Sequence, residues 1–472
     1  MKTAIFNAWL LRSILGMGTV LGLSVASATE APHLIDTVSM RHTTWSGIKQ
    51  LGTAESERGY FSATDRQGNL YVTGYTKGDL DGSGPEIHVG SFDFYVMKLN
   101  PQGKTEWIRQ FGSPGEDTAL AIAVDHWGYV YVTGQIGGDL DPNDDQVFLE
   151  GEGEDDVFLM KLDEDGHVRW LRQFGTTADD AGFGLALDIL GNPSVAGYTL
   201  GDMDGNGPNV NAGQDDIFVA AFDAAGNQRW IKQIGSSEAD VAYGTAIDAH
   251  GNIYVTGFSY GDLDGAAPQI NAGGMDIIAL KLDWYGEVKW IRQFGTAGDD
   301  NGYAITVDHH GRLYVTGFVS GDLDGSGPDV HLGDSDIVVL KMQRNGDLMW
   351  SRQIGTAGND FGLGIAVDGS GAAYATGTVF GDLDGPGPQT YQGRRDIAVV
   401  KFARDGATQW IRQWGTPGND WGFHIAVDSR HQIYVTGQTQ GDLDGLGSQA
   451  HAGSFDLFVL KLDLRRPLRH RH

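Results

Sequence analysis

Cysteine is absent from the 472 residues. That single absence removes disulfides, thiolate metal sites, a lipid-bearing cysteine and a cysteine nucleophile. The fold must therefore rest on its core alone. Positive charge is scarce as well: 33 Lys and Arg stand against 62 Asp and Glu, a formal net charge of −29. A duplex nucleic-acid partner needs clustered cations and is disfavoured. An acidic surface fits solubility outside the cell.

Long apolar runs occur in one place only. Lys2 and Arg12 precede an apolar run from Ser13 to Val25, and Ala26-Ser27-Ala28 offers a small-x-small cleavage site. Residues 1–28 therefore read as a secretory signal peptide. The run is too short to span a bilayer comfortably, and no other stretch is apolar enough for a membrane span. The expectation is a soluble, monomeric, exported protein, placed in the periplasm, at the cell surface or in the medium. Residues 29–44 form a lead-in without a strong pattern, and 464–472 form a basic tail.

Glycine, by contrast, is abundant at 71 residues, and aromatics make up 10% of the chain. Regular glycines between β-branched and aromatic runs mark turns between strands. The organising stretch is Gly-Asp-Leu-Asp-Gly, at 78–82, 261–265, 321–325, 381–385 and 441–445. Near copies stand at 138–142 (Gly-Asp-Leu-Asp-Pro) and 201–205 (Gly-Asp-Met-Asp-Gly). The seven copies are 60 residues apart except for one step of 63. A fixed period of this size decides the fold.

Each period reads as four strands, A to D. Strand A alternates large apolar with small residues, as in Gly182-Phe183-Gly184-Leu185-Ala186-Leu187, a strand signal. An Asp-x-x-Gly turn, such as Asp125 to Gly128, leads to strand B, Tyr131-Val132-Thr133-Gly134. Asp and Gly suit a tight hairpin whose last residue needs positive φ. A long loop with the acidic motif leads to strand C, as in Asp336 to Met342. A second glycine turn leads to strand D, as in Trp350-Ser351-Arg352-Gln353-Ile354. Four-stranded antiparallel blades at this period predict an all-β, seven-bladed propeller over 45–463. The last blade stops after strand C, and Trp45 to Leu51 resembles a strand D with Gly47 in the Trp place. That N-terminal strand is expected to complete the last blade and close the ring, which removes two bare strand edges. An open solenoid would leave them bare and need caps.

The repeat resembles the bacterial seven-bladed β-propeller repeat, or SBBP repeat. The matching pieces are Gly-Asn-Ile-Tyr-Val-Thr-Gly (251–257), Asp-Ile-Val-Val-Leu-Lys (336–341) and Gly-Thr-Ala-Gly-Asp-Asp (295–300). The resemblance implies a non-catalytic extracytoplasmic propeller and supplies neither a settled ligand nor catalytic residues.

Propeller geometry puts the D-to-A and B-to-C loops on one face and the A-to-B and C-to-D turns on the other. The first face collects four acids per blade. One stands in each D-to-A loop: Glu57, Asp117, Asp180, Asp240, Asp300, Asp360 and Asp420. Two stand in each motif: Asp79 and Asp81, Asp139 and Asp141, Asp202 and Asp204, Asp262 and Asp264, Asp322 and Asp324, Asp382 and Asp384, Asp442 and Asp444. The fourth precedes strand C: Asp93, Asp156, Asp216, Asp276, Asp336, Asp396 and Asp456. In extended chain, residues i and i+2 face the same way, so Leu80, Leu263 or Met203 can anchor inward while the flanking Asp pair faces out. Paired hard oxygens suit Ca²⁺, and the motif and strand-C acids are its candidate ligands. The loop is not an EF-hand, because Lys77, Tyr260 and Ser320 replace its first acid and His88 its last. The rival reading is a turn capped by Asp side chains on backbone amides. Blade two, with three extra residues and Asp139, Asp141, Asp144 and Asp156, is the strongest single metal candidate.

The strand-D cations Lys49, Arg109, Arg172, Lys232, Arg292, Arg352 and Arg412 are expected to pair with the Asp before strand C, and the strand-D Trp to pack between blades. Function should show where blades differ. Phe361 and Trp421 follow the D-to-A Asp of blades six and seven, and Tyr391, Arg394 and Arg395 occupy the loop of blade six. Exposed aromatics beside arginine mark recognition patches, so these five are the candidate contacts for a protein or glycan partner. Phe61 and His424 replace small residues of strand A and read as packing. The competing class is an enzyme. Leu-Asp-x-x-Gly-x-x-x-Trp (162–170, 282–290) resembles the repeat of quinoprotein dehydrogenases. Those enzymes use eight blades and many use an adjacent cysteine pair, and no Ser/His/Asp set or His cluster breaks the repeat here.

Overall fold

The computed structural model describes residues 47–80, 82, 90–140, 155–203, 213–263, 271–323, 331–383, 391, 393–443 and 453–462. The expected signal peptide (1–28), lead-in (29–44) and basic tail (464–472) fall outside them. The described residues form 28 strands in seven four-stranded antiparallel sheets, with no helix among them. Blade four is typical: A is Asp240–Ile247, B is Ile253–Ser259, C is Asp276–Leu282 and D is Val288–Phe294. Strands B and C are buried on both faces because each blade is sandwiched between two others. This is why they read as near-continuous Val, Ile and Leu rather than as alternation. A buried side chain of that kind contributes about 1.5–3 kcal/mol, and blade four alone buries Val255, Ile277, Ile278, Leu280 and Leu282.

Strand A does alternate, and the structure gives the reason. Each A strand carries a bulge against strand B, between Gly59 and Phe61 in blade one and between Gly182 and Gly184 in blade three. The extra residue at the bulge is large: Tyr60, Leu120, Phe183, Tyr243, Tyr303, Leu363 or Phe423. A bulge re-aims its side chain, and here all seven join one apolar cluster. Neighbours pack ring to ring, Phe183 to Tyr243 at 5.2 Å, Tyr243 to Tyr303 at 5.3 Å and Phe423 to Tyr60 at 5.1 Å. The small residues beside them let adjacent A strands approach. A Cβ on Gly244 would lie 3.0 Å from the Ile305 amide, and one on Gly364 2.9 Å from the His424 Cα.

The hairpin turns are of the expected kind. The fourth residue of the A-to-B turn has positive φ, from 74° at Gly191 to 92° at Gly128. Blade seven has His431 there at φ 60°, the one described non-glycine residue in that region. The leading Asp accepts from backbone amides two and four residues on, as Asp125 does from Trp127 and Tyr129, both at 2.9 Å.

The ring closes through its first strand. Gly47–Leu51 pairs antiparallel with Asp456–Leu462, with Ile48 opposite Leu460 and Gln50 opposite Phe458. The last blade is therefore built from both chain ends. Deleting residues 45–51 should lower the unfolding temperature sharply or produce oligomers, because it bares one long strand edge. Calorimetry with size-exclusion chromatography reads this out. An equally stable monomer would refute closure as a source of stability.

Candidate functional site

The loop face is organised by a residue that the motifs left unremarked, the Gln one place after the strand-D cation. It is present in all seven blades, at 50, 110, 173, 233, 293, 353 and 413. In blade six, Gln413 Nε2 donates to the Gly381 carbonyl at 3.1 Å and to Asp396 Oδ2 at 2.9 Å, while its Oε1 accepts from the Leu383 amide at 3.0 Å. One carboxamide thus fastens the start of the acidic motif to the Asp before strand C. The same three contacts recur at Gln50, Gln233 and Gln353. The glycine two residues after the Gln is required as well: a Cβ on Gly415 or Gly295 would collide with Asp396 or Asp276. The apolar residue of the motif anchors inward as expected, with Leu80, Met203 and Leu443 buried.

This arrangement corrects the expected ion pair. The strand-D arginines do not meet the strand-C Asp, because residues one apart on a strand face opposite ways. Arg109 Nη2 donates to the Asp165 carbonyl at 3.0 Å, Arg172 Nε to Gly226 at 2.8 Å and Arg352 Nε to Gly406 at 2.7 Å. Each acceptor lies in the C-to-D turn of the next blade. The strand-D Trp aims at the same turn, Trp107 Nε1 reaching the Glu164 carbonyl at 3.1 Å. It packs between blades as expected.

The acids divide into two populations. Asp93, Asp216, Asp276, Asp336, Asp396 and Asp456 are buried, and Asp156 is half-buried. They are internal pins within the clasp, held through Oδ2 as Asp216 and Asp396 are. Glu57 and the six D-to-A Asp residues are fully buried too. Each takes the backbone amide four residues back, Thr416 to Asp420 at 2.6 Å and Thr53 to Glu57 at 2.8 Å. Several also hold the end of strand B, as Asp360 Oδ1 holds the Phe380 amide at 2.8 Å. The first Asp of the motif behaves differently. Asp79, Asp202, Asp262, Asp322 and Asp382 are exposed, and Asp139 and Asp442 half-buried. Asp79 Oδ1 accepts from the Gly82 amide at 2.9 Å, the capped-turn geometry. The second Asp (Asp81, Asp141, Asp204, Asp264, Asp324, Asp384, Asp444) and Asp144 lie outside the described residues. Among the described residues, one group of three metal-type ligands stands close together. It is Asp163, Asp165 and His167, in a C-to-D turn on the opposite face.

Of the five partner candidates, two are corrected. Phe361 is 9% exposed and Trp421 5%. Both belong to the axial apolar cluster, because the residue after the D-to-A acid turns toward the axis. The structure does bring them into that one cluster. Phe361 packs edge-on to Phe318 at 5.2 Å, and Trp421 stacks on Phe423 at 5.8 Å. Arg394 is exposed, and Tyr391 and Arg395 are half-buried. The Arg395 guanidinium lies 4.2 Å from the Trp421 ring and 4.8 Å from that of Phe380. Phe61 and His424 are packing residues at the seam between blades seven and one, stacked at 3.6 Å. Burial pushes the His424 imidazole down to about 3, so it packs as a neutral ring.

Fold and repeat together define a closed seven-bladed β-propeller. Six stretches of the chain, residues 63–81, 106–141, 229–264, 289–317, 350–378 and 409–444, match the β-propeller repeat abbreviated SBBP. The regulatory protein FlaEY of Caulobacter vibrioides is 33% identical over 190 residues, covering 38% of this chain and 20% of that protein. The uncharacterised WD repeat-containing protein L264 of Acanthamoeba polyphaga mimivirus is 22% identical over 494 residues, covering 82% and 35%. The chain thus spans about a fifth to a third of the length of these relatives. The Neurospora crassa Pan2 WD40 domain aligns with 91% of this chain and 98% of its own, at 10% identity and a TM-score of 0.45.

The buried acids carry a pH signature. Burial pushes the carboxyls of Asp117, Asp180 and Asp240 up to about 6, against the pull of the amides and hydroxyls that bond them. Glu57 is raised to about 7 for the same reason. A raised carboxyl contributes stability that is full below its ordinary value of about 4 and lost as pH rises through about 6. The variant Asp240→Asn cannot ionise. Its stability relative to the parent should rise by about 2 kcal/mol between pH 4 and pH 7.5. Urea titrations at the two values measure this, and a difference that is flat or falls with pH would contradict it.

Proposed function

We propose that the chain is an exported binding or scaffold module that holds a protein or glycan partner on its loop face, near blade six. The observation that carries this reading is one break in the repeat. Tyr391, Arg394 and Arg395 place aromatic and cationic groups on the rim, where no other blade carries a Lys or Arg at either arginine place, and the clasps below hold that rim on a rigid scaffold. Loops on a rigid scaffold are where binding usually resides, and an exposed arginine offers a planar fork for an anionic or aromatic group. Changing Tyr391 and Arg394 to Ala should abolish capture of a partner from the native envelope. Changing Trp127 and Tyr285, 57% and 78% exposed on the opposite face, should leave it intact. Loss in the second variant alone would put the site on the wrong face.

Export and a quinoprotein-type activity are separate matters. Export rests on the apolar run at 13–25 and its cleavage site. The enzyme alternative would show as a quinone absorption band in the purified protein.

Ca²⁺ is proposed as a stabilising ligand of the loops, through the motif acids and not the buried pins. Support comes from the exposed first Asp of five blades, standing around one rim on a chain of net charge −29. A cation bound only to the folded state raises the unfolding temperature by mass action. Melting curves should move up in millimolar Ca²⁺ relative to chelator and to Mg²⁺. Identical curves in all three leave the capped turn as the full account.

A further inference from the structure

Two arginines, in the two blades that flank blade seven, break the repeat at positions where no other blade has a cation. The residue after the D-to-A acid is Arg58 in blade one, and Thr118, Ala181, Val241, Asn301, Phe361 or Trp421 elsewhere. The residue before the strand-C Asp is Arg395 in blade six, and Phe92, Asp155, Asp215, Met275, Ser335 or Phe455 elsewhere. Both positions face the ring axis at the loop end.

Arg58 is 3% exposed. Its Nη1 donates to the Tyr60 hydroxyl at 3.1 Å, and its guanidinium lies 5.3 Å from the Tyr75 ring and 5.6 Å from that of Phe455. Its Nε has no partner. Arg395 stacks on Trp421 and Phe380 as described above. Among the described residues, no carboxylate pairs with either guanidinium. An aromatic path joins them: Arg395 lies over Trp421, which stacks on Phe423, which packs 5.1 Å from Tyr60, the hydrogen-bond partner of Arg58. Burying a guanidinium without a counter-charge is costly. A chain with 62 Asp and Glu has no shortage of partners for it.

We propose that the loop end of the axial apolar cluster, at blades six, seven and one, binds a carboxylate carried on an apolar group, with Arg58 and Arg395 supplying its counter-charge. Arginine's planar fork matches a carboxylate and accepts aromatic stacking at the same time. The walls choose between classes of acid. Tyr60, Tyr75, Phe92, Trp421 and Phe423 bury apolar surface and offer few groups for sugar hydroxyls, so a uronic acid is the wrong shape of polarity. An apolar organic acid or the free C-terminus of a peptide ending in Phe or Leu fits. This inference rests on the loop face being the docking face and names the chemistry read there.

The probes are 3-phenylpropionate, a pentapeptide ending in Phe, the same peptide amidated, and a trigalacturonate, each titrated calorimetrically into the full chain. At least one free-acid probe should bind; the amide and the uronate should not. Binding of phenylpropionate assigns a free organic acid, and binding of the peptide alone assigns a chain terminus. Arg58→Met and Arg395→Met should each weaken binding at least tenfold. Ligand-free Arg58→Met should melt no lower than the parent, since it loses an unpaired buried charge. If it fails to fold, Arg395→Met, at the half-buried position, carries the test. No binding by either free acid, equal binding of acid and amide, or unchanged affinity in the folded variants overturns the proposal. Capture of a partner through Tyr391 and Arg394 without any acid binding would reject this site and leave the docking face standing.

Discussion

The structure depends on what each blade's outer strand does to its neighbour. The strand-D Trp lies on the glycine of the next C-to-D turn so closely that a Cβ on Gly226 would stand 2.9 Å from Trp170, and one on Gly286 2.8 Å from Trp230. The indole then donates to a carbonyl of that turn, and the strand-C Lys reaches the same carbonyl, as Lys98 and Trp107 both reach Glu164 at 3.1 Å. The strand-D Arg adds a third donor. Three side chains from two strands thus converge on one turn of the following blade, which fixes the angle between blades.

The seam is where this device is weakest. The N-terminal strand has Gly47 in the Trp place, with nothing within 4 Å of its Cβ position, and Lys49 in the Arg place. The axis side takes over there. Phe61 and His424 fill, by stacking, the gap that Gly and Ala close elsewhere by approach. The Glu57 amide reaches the Phe455 carbonyl at 2.8 Å, the contact that every other blade boundary also makes, and Arg430 bonds the Gln67 carbonyl at 3.3 Å. A ring made from one chain must join its ends somewhere. Here the join replaces an outer staple with an inner plug.

Period, strand order and closure were all legible in the sequence, because each is written by alternation, by glycine at positive φ and by a strand count one short at the end. The tight hairpin turns led by Asp125 and its equivalents were legible for the same reason. The site was read less well. Phe361 and Trp421 look like exposed loop aromatics next to an Asp, and nothing local reveals the bulge that turns strand A toward the axis. The strand-D cation draws the eye by its charge, while its neutral neighbour Gln413 makes the contact with Asp396. The repeat did hold that signal: the cation varies between Lys and Arg, and the Gln does not vary at all. Arg58 escaped because a single residue in one strand has no pattern until the fold shows what surrounds it.

Two populations of acid then define the electrostatics of the loop face. Those that pin the loops are buried, so the charge a solute meets comes from the first motif Asp of each blade and from the loop rims. This makes an outer ring of negative charge around an axial mouth whose cations lie on one arc, at Arg58, Arg394 and Arg395. A field of that shape repels a polyanion from most directions and favours an anion with its charge at one end and an apolar body behind it. The asymmetry arises at the seam and its neighbouring blade, where the repeat is already broken to close the ring. In the other blades the same two axial positions hold a Thr, Ala, Val or Asn and an Asp, Met or Ser. Those suit packing and carry no positive charge toward the axis.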